Sequence, residues 1–137
     1  MGLGQMSGPA GPGQISEGAR NALEIRSFAI ADARFERGKR WIGPSGHMLE
    51  FTQEGDLQLR SPTAELLWHT RTSGGNAAAM VLKTDGELMI VDWRGYPVWS
   101  TGTGGNSGAF LALRRDGNLV LCSADMTPLW ETGTAQG

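Results

Sequence analysis

The chain is poor in the groups that catalysis and covalent cross-linking need. Its 137 residues include one cysteine, two histidines and a single tyrosine. One cysteine cannot form an intrachain disulfide, so the fold must stand on its core alone. The histidines, His47 and His69, have no second His or Cys at metal-ligand spacing. They read as solvated or partly packed side chains, and no metal site is expected. Cys122 would need a basic neighbour or a helix N-terminus to become a reactive thiol, and the sequence alone supplies neither. Long apolar runs are missing too. Nothing approaches the ~20 residues of a membrane span, so no membrane insertion is expected. The Gly/Pro/Ser/Gln-rich start lacks a secretory apolar core, and Met6 stands where a myristoylation signal has Ser or Thr. The expectation is synthesis in the cytoplasm without a signal peptide. Nor is there an excess of positive charge. Twelve Lys+Arg against 14 Asp+Glu give a net charge of −2, which excludes a basic nucleic-acid binder.

What is abundant is glycine. The 21 glycines are about twice the usual share, which points to a turn-dense architecture rather than helices. They are placed periodically. Gly55, Gly86 and Gly117 are 31 residues apart, and so are Trp68, Trp99 and Trp130. The same shift superposes Glu54, Asp85 and Asp116, then Leu57, Leu88 and Leu119. It also superposes Thr70, Thr101 and Thr132, and Thr72, Thr103 and Thr134, without a gap. A period of this length is one supersecondary unit copied and packed on its neighbours. The copies span about 48–78, 79–109 and 110–137.

Each copy reads as a β-hairpin followed by a strand that carries the tryptophan. In copy three Leu111 and Leu113 alternate with Ala112 and Arg114, and Leu119 and Leu121 alternate with Asn118, Val120 and Cys122. A two-residue turn would put the leucines of the two strands on opposite faces. A three-residue loop with Gly117 left-handed pairs Leu113 with Leu119 and Leu111 with Leu121, keeping all four together. The same register puts Met80, Leu82, Leu88 and Ile90 inward in copy two, and Leu49, Phe51, Leu57 and Leu59 inward in copy one. Three symmetry-related tryptophans then form the centre of a shared core. The fold class is all-β, with three antiparallel sheets around a pseudo-three-fold axis. A β-trefoil is excluded because its repeat is longer.

Residues 1–27 stand outside the repeat as a Gly/Pro-rich extended arm, and 28–137 form the domain, with 28–46 expected to feed the first sheet. Ordering such an arm costs on the order of 1–2 kcal/mol per residue. It is therefore expected to dock on protein subunits of a larger assembly if it is ordered at all. The Gly-rich stretch at Gly102–Asn106 lacks the Lys-Ser/Thr and helix of a phosphate cradle and matches Gly74-Gly75-Asn76 at the previous joint, so it is a connector. No catalytic residue and no cofactor are expected. What remains is the outer face of each hairpin. In copy three it offers Arg114, Asp116, Asn118, Val120 and Cys122. A carboxylate accepts hydroxyl hydrogen bonds, a carboxamide gives and takes one, and a small apolar side chain covers ring C–H, which together suit a neutral sugar. Copy two offers a weaker set in Lys83, Asp85 and Glu87.

The segments Asp116-Gly117-Asn118-Leu119-Val120-Leu121, Pro128-Leu129-Trp130-Glu131-Thr132 and Pro97-Val98-Trp99-Ser100-Thr101, with the three-fold repeat, resemble the bulb-type (monocot mannose-binding) lectins over about residues 35–137. The resemblance implies a type II β-prism of three four-stranded sheets, with one mannose site per copy of pattern Q-x-D-x-N-x-V-x-Y. Copy three keeps Asp116, Asn118 and Val120, with Arg114 and Cys122 replacing Gln and Tyr. Copy two, at Lys83, Asp85, Glu87, Met89 and Val91, keeps only Asp85. Copy one, at Thr52, Glu54, Asp56, Gln58 and Arg60, keeps none. The expected function is a non-catalytic recognition module for a mannose-type glycan. The alternative is a lectin-like docking protein with lost sugar sites, held in a virion, tail or secretion particle through residues 1–27.

Overall fold

A computed structural model describes residues 33–135; residues 1–32, with the whole of the expected arm and the expected domain start at Phe28, and residues 136–137 lie outside the described residues. Among the described residues the elements are all strands. Copy one contributes β3 (Met48–Phe51), β4 (Leu57–Arg60) and β5 (Leu66–His69), preceded by β2 (Arg40–Ile42). They form one antiparallel sheet in the order β2-β3-β4-β5. Copy two contributes β6 (Ala77–Leu82), β7 (Leu88–Asp92) and β8 (Pro97–Ser100). The upstream strand β1 (Ala33–Glu36) completes that sheet in the order β1-β6-β7-β8. Copy three forms a sheet of β9 (Phe110–Leu113), β10 (Leu119–Cys122) and β11 (Pro128–Glu131).

Two expectations need correction. The segment before copy one does not feed the first sheet as a whole. β2 does, but β1 pairs with β6 of the second sheet, where Phe35 sits opposite Met80 and is 5% exposed. Burying an aromatic ring on that core face is what draws β1 across. Also, the third sheet has three strands rather than four among the described residues.

The hairpin register is the expected one in all three copies. Leu113 pairs with Leu119 and Leu111 with Leu121, and the equivalents are Leu82 with Leu88, Met80 with Ile90, Phe51 with Leu57 and Leu49 with Leu59. All twelve of these side chains are fully buried. At the turns Gly55, Gly86 and Gly117 have φ of 89°, 91° and 91°, the left-handed conformation that closes a three-residue loop. Side chains at Gly117 would also collide with His47, whose Nε2 lies 2.6 Å from where a Cβ would be.

The tryptophans meet one another but are only half-buried, packed against the core of inward side chains rather than forming its centre as expected. Trp68, Trp99 and Trp130 pack edge to face in a triangle with ring centroids 5.5–5.8 Å apart. Such geometry adds about 0.5–1.5 kcal/mol per pair beyond area burial. The repeated threonines fasten each tryptophan strand to its own hairpin. Thr72, Thr103 and Thr134 donate to the carbonyls of Gly55, Gly86 and Gly117 at 2.6, 2.6 and 2.7 Å. Thr70, Thr101 and Thr132 bond these same hydroxyls. The ring closes when Ser45, before β3, donates to the Arg115 carbonyl at 2.8 Å.

Candidate functional site

The copy-three hairpin carries a cavity of about 530 Å³ on the face away from the tryptophans. That is within the range of roughly 300–1,000 Å³ that small-molecule sites occupy. Strand alternation builds its floor, because Ala112, Val120 and Cys122 all point opposite to the core leucines. Arg114 and Asp116 stand at its rim, joined by an ion pair of 3.1 Å. Pro44 and Met126 complete the walls from two other loops.

Four of the five expected positions therefore converge: Arg114, Asp116, Val120 and Cys122. Asn118 is in the same hairpin but outside the lining. Its side chain, 4% exposed, is a latch. Oδ1 accepts from Thr132 Oγ1 at 3.0 Å and from the backbone N–H groups of Gly133 and Thr134 at 3.0 and 3.2 Å. Nδ2 donates to Glu131 at 2.6 Å. Asp116 keeps more freedom. Its Oδ1 accepts the Asn118 N–H at 3.0 Å, while Oδ2 faces Arg114 with the carboxyl about a third exposed.

The outer face of copy three was expected to be exposed, and in the structure it is not. Val120 and Cys122 are 3% and 7% exposed, and with Phe110 and Ala112 they make a second apolar cluster behind the core. Burial pushes the Cys122 thiol up, and the nearby Arg114 charge offsets this only partly. The thiol stays protonated at neutral pH and is no nucleophile.

Copy two lacks such a cluster of roles. Both oxygens of Glu87 are taken by the N–H groups of Gly102 and Gly104 at 2.8 Å each, the same latch that Asn118 makes. Asp85 Oδ1 accepts the Glu87 N–H at 3.0 Å, and Lys83 is exposed. In copy one Asp56 is the latch. Its Oδ1 accepts from Thr70 and Thr72, and its Oδ2 bonds His69 Nδ1 at 2.8 Å and Gln58 at 3.0 Å. Burial pushes the Asp56 carboxyl up, but hydrogen bonds from Gln58, His69, Thr72 and Thr70 together outweigh it and hold the group below the usual carboxylate range. Arg60 donates to Gln58 at 2.9 Å and extends this polar ladder. His47 is buried at 5%, with Ser45 Oγ 3.0 Å from its Nδ1.

Sequence reasoning missed Pro44 and Met126. Pro44 arrives from the β2–β3 loop, ahead of the repeats, and no spacing announces it. Met126 has a signal, since it is the repeat equivalent of Gly95 and shares its positive φ, 76° against 89°.

No protein-family model matches the chain, and neither does any curated protein sequence. Solved structures do. A lectin of Marasmius oreades is 31% identical over 77% of this chain and 88% of its own, with a TM-score of 0.70. A monomeric monocot mannose-binding lectin from Gastrodia elata is 21% identical over 77% and 96%, with a TM-score of 0.69. The mannose-specific agglutinin of snowdrop, Galanthus nivalis, solved with methyl-α-D-mannoside, is 24% identical over 79% and 96%, with a TM-score of 0.62. The all-β architecture of three antiparallel sheets is that of the type II β-prism.

Proposed function

We propose that this chain, which shares the fold of mannose-binding lectins, is a non-catalytic carbohydrate-recognition module whose copy-three hairpin takes one mannose-type residue. The observation that carries the reading is the coincidence of the cavity with four positions of the mannose pattern, Arg114, Asp116, Val120 and Cys122. Asp116 Oδ2 and the Arg114 guanidinium supply an acceptor and donors side by side for sugar hydroxyls. The exposed Pro44, Met126 and Pro128 supply apolar walls for the ring C–H groups, above the buried Val120 and Ala112. Asn118 contributes by holding β10 to β11 rather than by touching the ligand.

The two absent partners, Gln and Tyr, each represent about 0.5–1.5 kcal/mol of net hydrogen bonding. Losing both weakens binding by about 1–3 kcal/mol, roughly 5- to 150-fold, relative to a complete site. Several modules on one surface would make such affinity useful. Calorimetric titration of methyl α-mannoside and mannobiose into the wild type and Asp116→Ala tests the reading. Saturable binding that weakens at least tenfold in the variant is expected. Binding that Asp116→Ala leaves unchanged would remove copy three as the site.

A further inference from the structure

The turn between β7 and β8 carries two large rings in water. Trp93 is 70% and Tyr96 60% exposed, the most exposed aromatic side chains among the described residues. Pseudo-symmetry supplies the control. The equivalent turns of copies one and three have Pro62 and Ala124 in place of Trp93, and Glu65 and Thr127 in place of Tyr96. Their backbones close in the same way. Gly95, Ala64 and Met126 each return an N–H to the residue three earlier, at 3.0, 2.9 and 2.9 Å. The fold therefore makes no demand for aromatic rings here, and their exposure is a cost without a structural return.

The rings are also held still. Asp92 Oδ1 accepts the N–H groups of both Arg94 and Tyr96 at 2.9 Å, which fixes the turn. Arg37 lies over the Trp93 ring with its guanidinium carbon 5.4 Å from the centroid. Arg37 is itself locked, donating to the carbonyls of Ala77, Gln53 and Gly75 at 2.6–3.3 Å. One face of the indole is thus backed by a fixed cation and the other is open. Arg94 lies over Tyr96 in the same manner, at 5.4 Å. A backed, immobile indole beside the exposed Arg94 offers a flat apolar plate with hydrogen-bond donors at its edge. A pyranose presents the complement, a flat face of C–H groups ringed by hydroxyls. An arrangement of this kind loses little conformational entropy on binding.

We propose that the Trp93–Tyr96 turn is a second saccharide-binding site, separate from the copy-three cavity, which stacks the C–H face of a pyranose on Trp93. This rests on the carbohydrate-recognition reading of the chain, but not on the copy-three residues. The test titrates mannopentaose, and in parallel a tetrasaccharide containing glucuronate, into the full chain, Trp93→Ala, Trp93→Phe and Asp116→Ala. Binding is followed by calorimetry, and acrylamide quenching reports the accessibility of Trp93.

In Asp116→Ala residual saccharide binding should persist and should shield a tryptophan from acrylamide. Trp93→Ala should weaken that residual component at least fivefold, Trp93→Phe should retain most of it, and neither change should move the melting midpoint. If Asp116→Ala abolishes all binding and Trp93→Ala changes nothing, this inference fails and the copy-three site stands. If neither saccharide binds the wild type, both readings fail. Binding of the acidic saccharide alone, lost in salt and indifferent to Trp93→Ala, would assign the effect to the arginines and overturn stacking. Conversion of a dimer to a monomer by Trp93→Ala, without any saccharide shielding, would overturn it in favour of self-association.

Discussion

Copies one and three share a backbone and differ in what they turn outward. Both bury four large apolar side chains inward on the same register, close the hairpin with a left-handed glycine and fasten the tryptophan strand with two threonines. Outward, copy one carries a hydrogen-bonded ladder of Asp56, Gln58, Arg60 and His69. Copy three carries Ala112, Val120 and Cys122 beneath an ion-paired rim. The difference teaches that the fold constrains the inner face and the latch, and leaves the outer face free to specialise. It also explains why only one copy combines an apolar floor with a reachable carboxylate.

The largest expected effect comes from what the copies share. Trp99→Ala should cost about 3–5 kcal/mol, because it empties one corner of the triangle packed against the core. Thermal or urea denaturation measures this, and an unchanged midpoint would mean that the tryptophans do not support the core. The next effect tests whether the latch is equivalent in the two copies. Asp56→Ala removes the acceptor of the Thr72 N–H and the Thr70 hydroxyl, and Asn118→Ala that of the Gly133 and Thr134 N–H groups and the Thr132 hydroxyl, so each should cost about 1–3 kcal/mol. Asp56→Ala should be the larger, since it also leaves His69 without its carboxylate.

Acidity separates the copies further. The Asp56 carboxyl is held below its usual range in the folded chain. Its contribution to stability is therefore complete above the unfolded value of about 3.9 and is lost as pH falls through the lower folded value. Asp56→Asn should flatten the fall in melting temperature below about pH 4, whereas Asn118→Asp should destabilise the fold at neutral pH, because it sets a second carboxylate against Glu131, and should regain stability on acidification. Identical acid profiles for wild type and Asp56→Asn would show that the copy-one ladder does not carry the acid response. The smallest effect comes from exchanging the outward residues. Val120→Gln should cost about 1–2 kcal/mol by burying an amide, while Gln58→Val should cost about 0.5–1.5 kcal/mol by removing the hydrogen bonds to Asp56 and Arg60.

Much of the inner architecture was legible because alternation and turn geometry are local. Leu111, Leu113, Leu119 and Leu121 lie within eleven residues, and only one loop length keeps them on one face. The latch was not legible. Asp56, Glu87 and Asn118 are chemically different, and each finds its partners 13–17 residues away on the tryptophan strand and the connector after it. What they have in common is a side-chain oxygen that accepts backbone N–H groups, a role visible only once the third strand is laid beside the second. For the same reason Asn118 looked like a sugar ligand, and β1 looked like part of the first sheet. Both depend on which strand comes to lie alongside, and neither β10's pairing with β11 nor β1's with β6 is set by local periodicity.

Titration of the isotope-labelled chain with methyl α-mannoside, followed residue by residue by NMR, tests the central claim most directly. Saturable shifts should concentrate on Ala112, Arg114, Asp116, Val120 and Cys122, with the copy-one ladder at Asp56, Gln58 and Arg60 unmoved. Shifts centred on copy one, or none at concentrations well above the millimolar range, would contradict it.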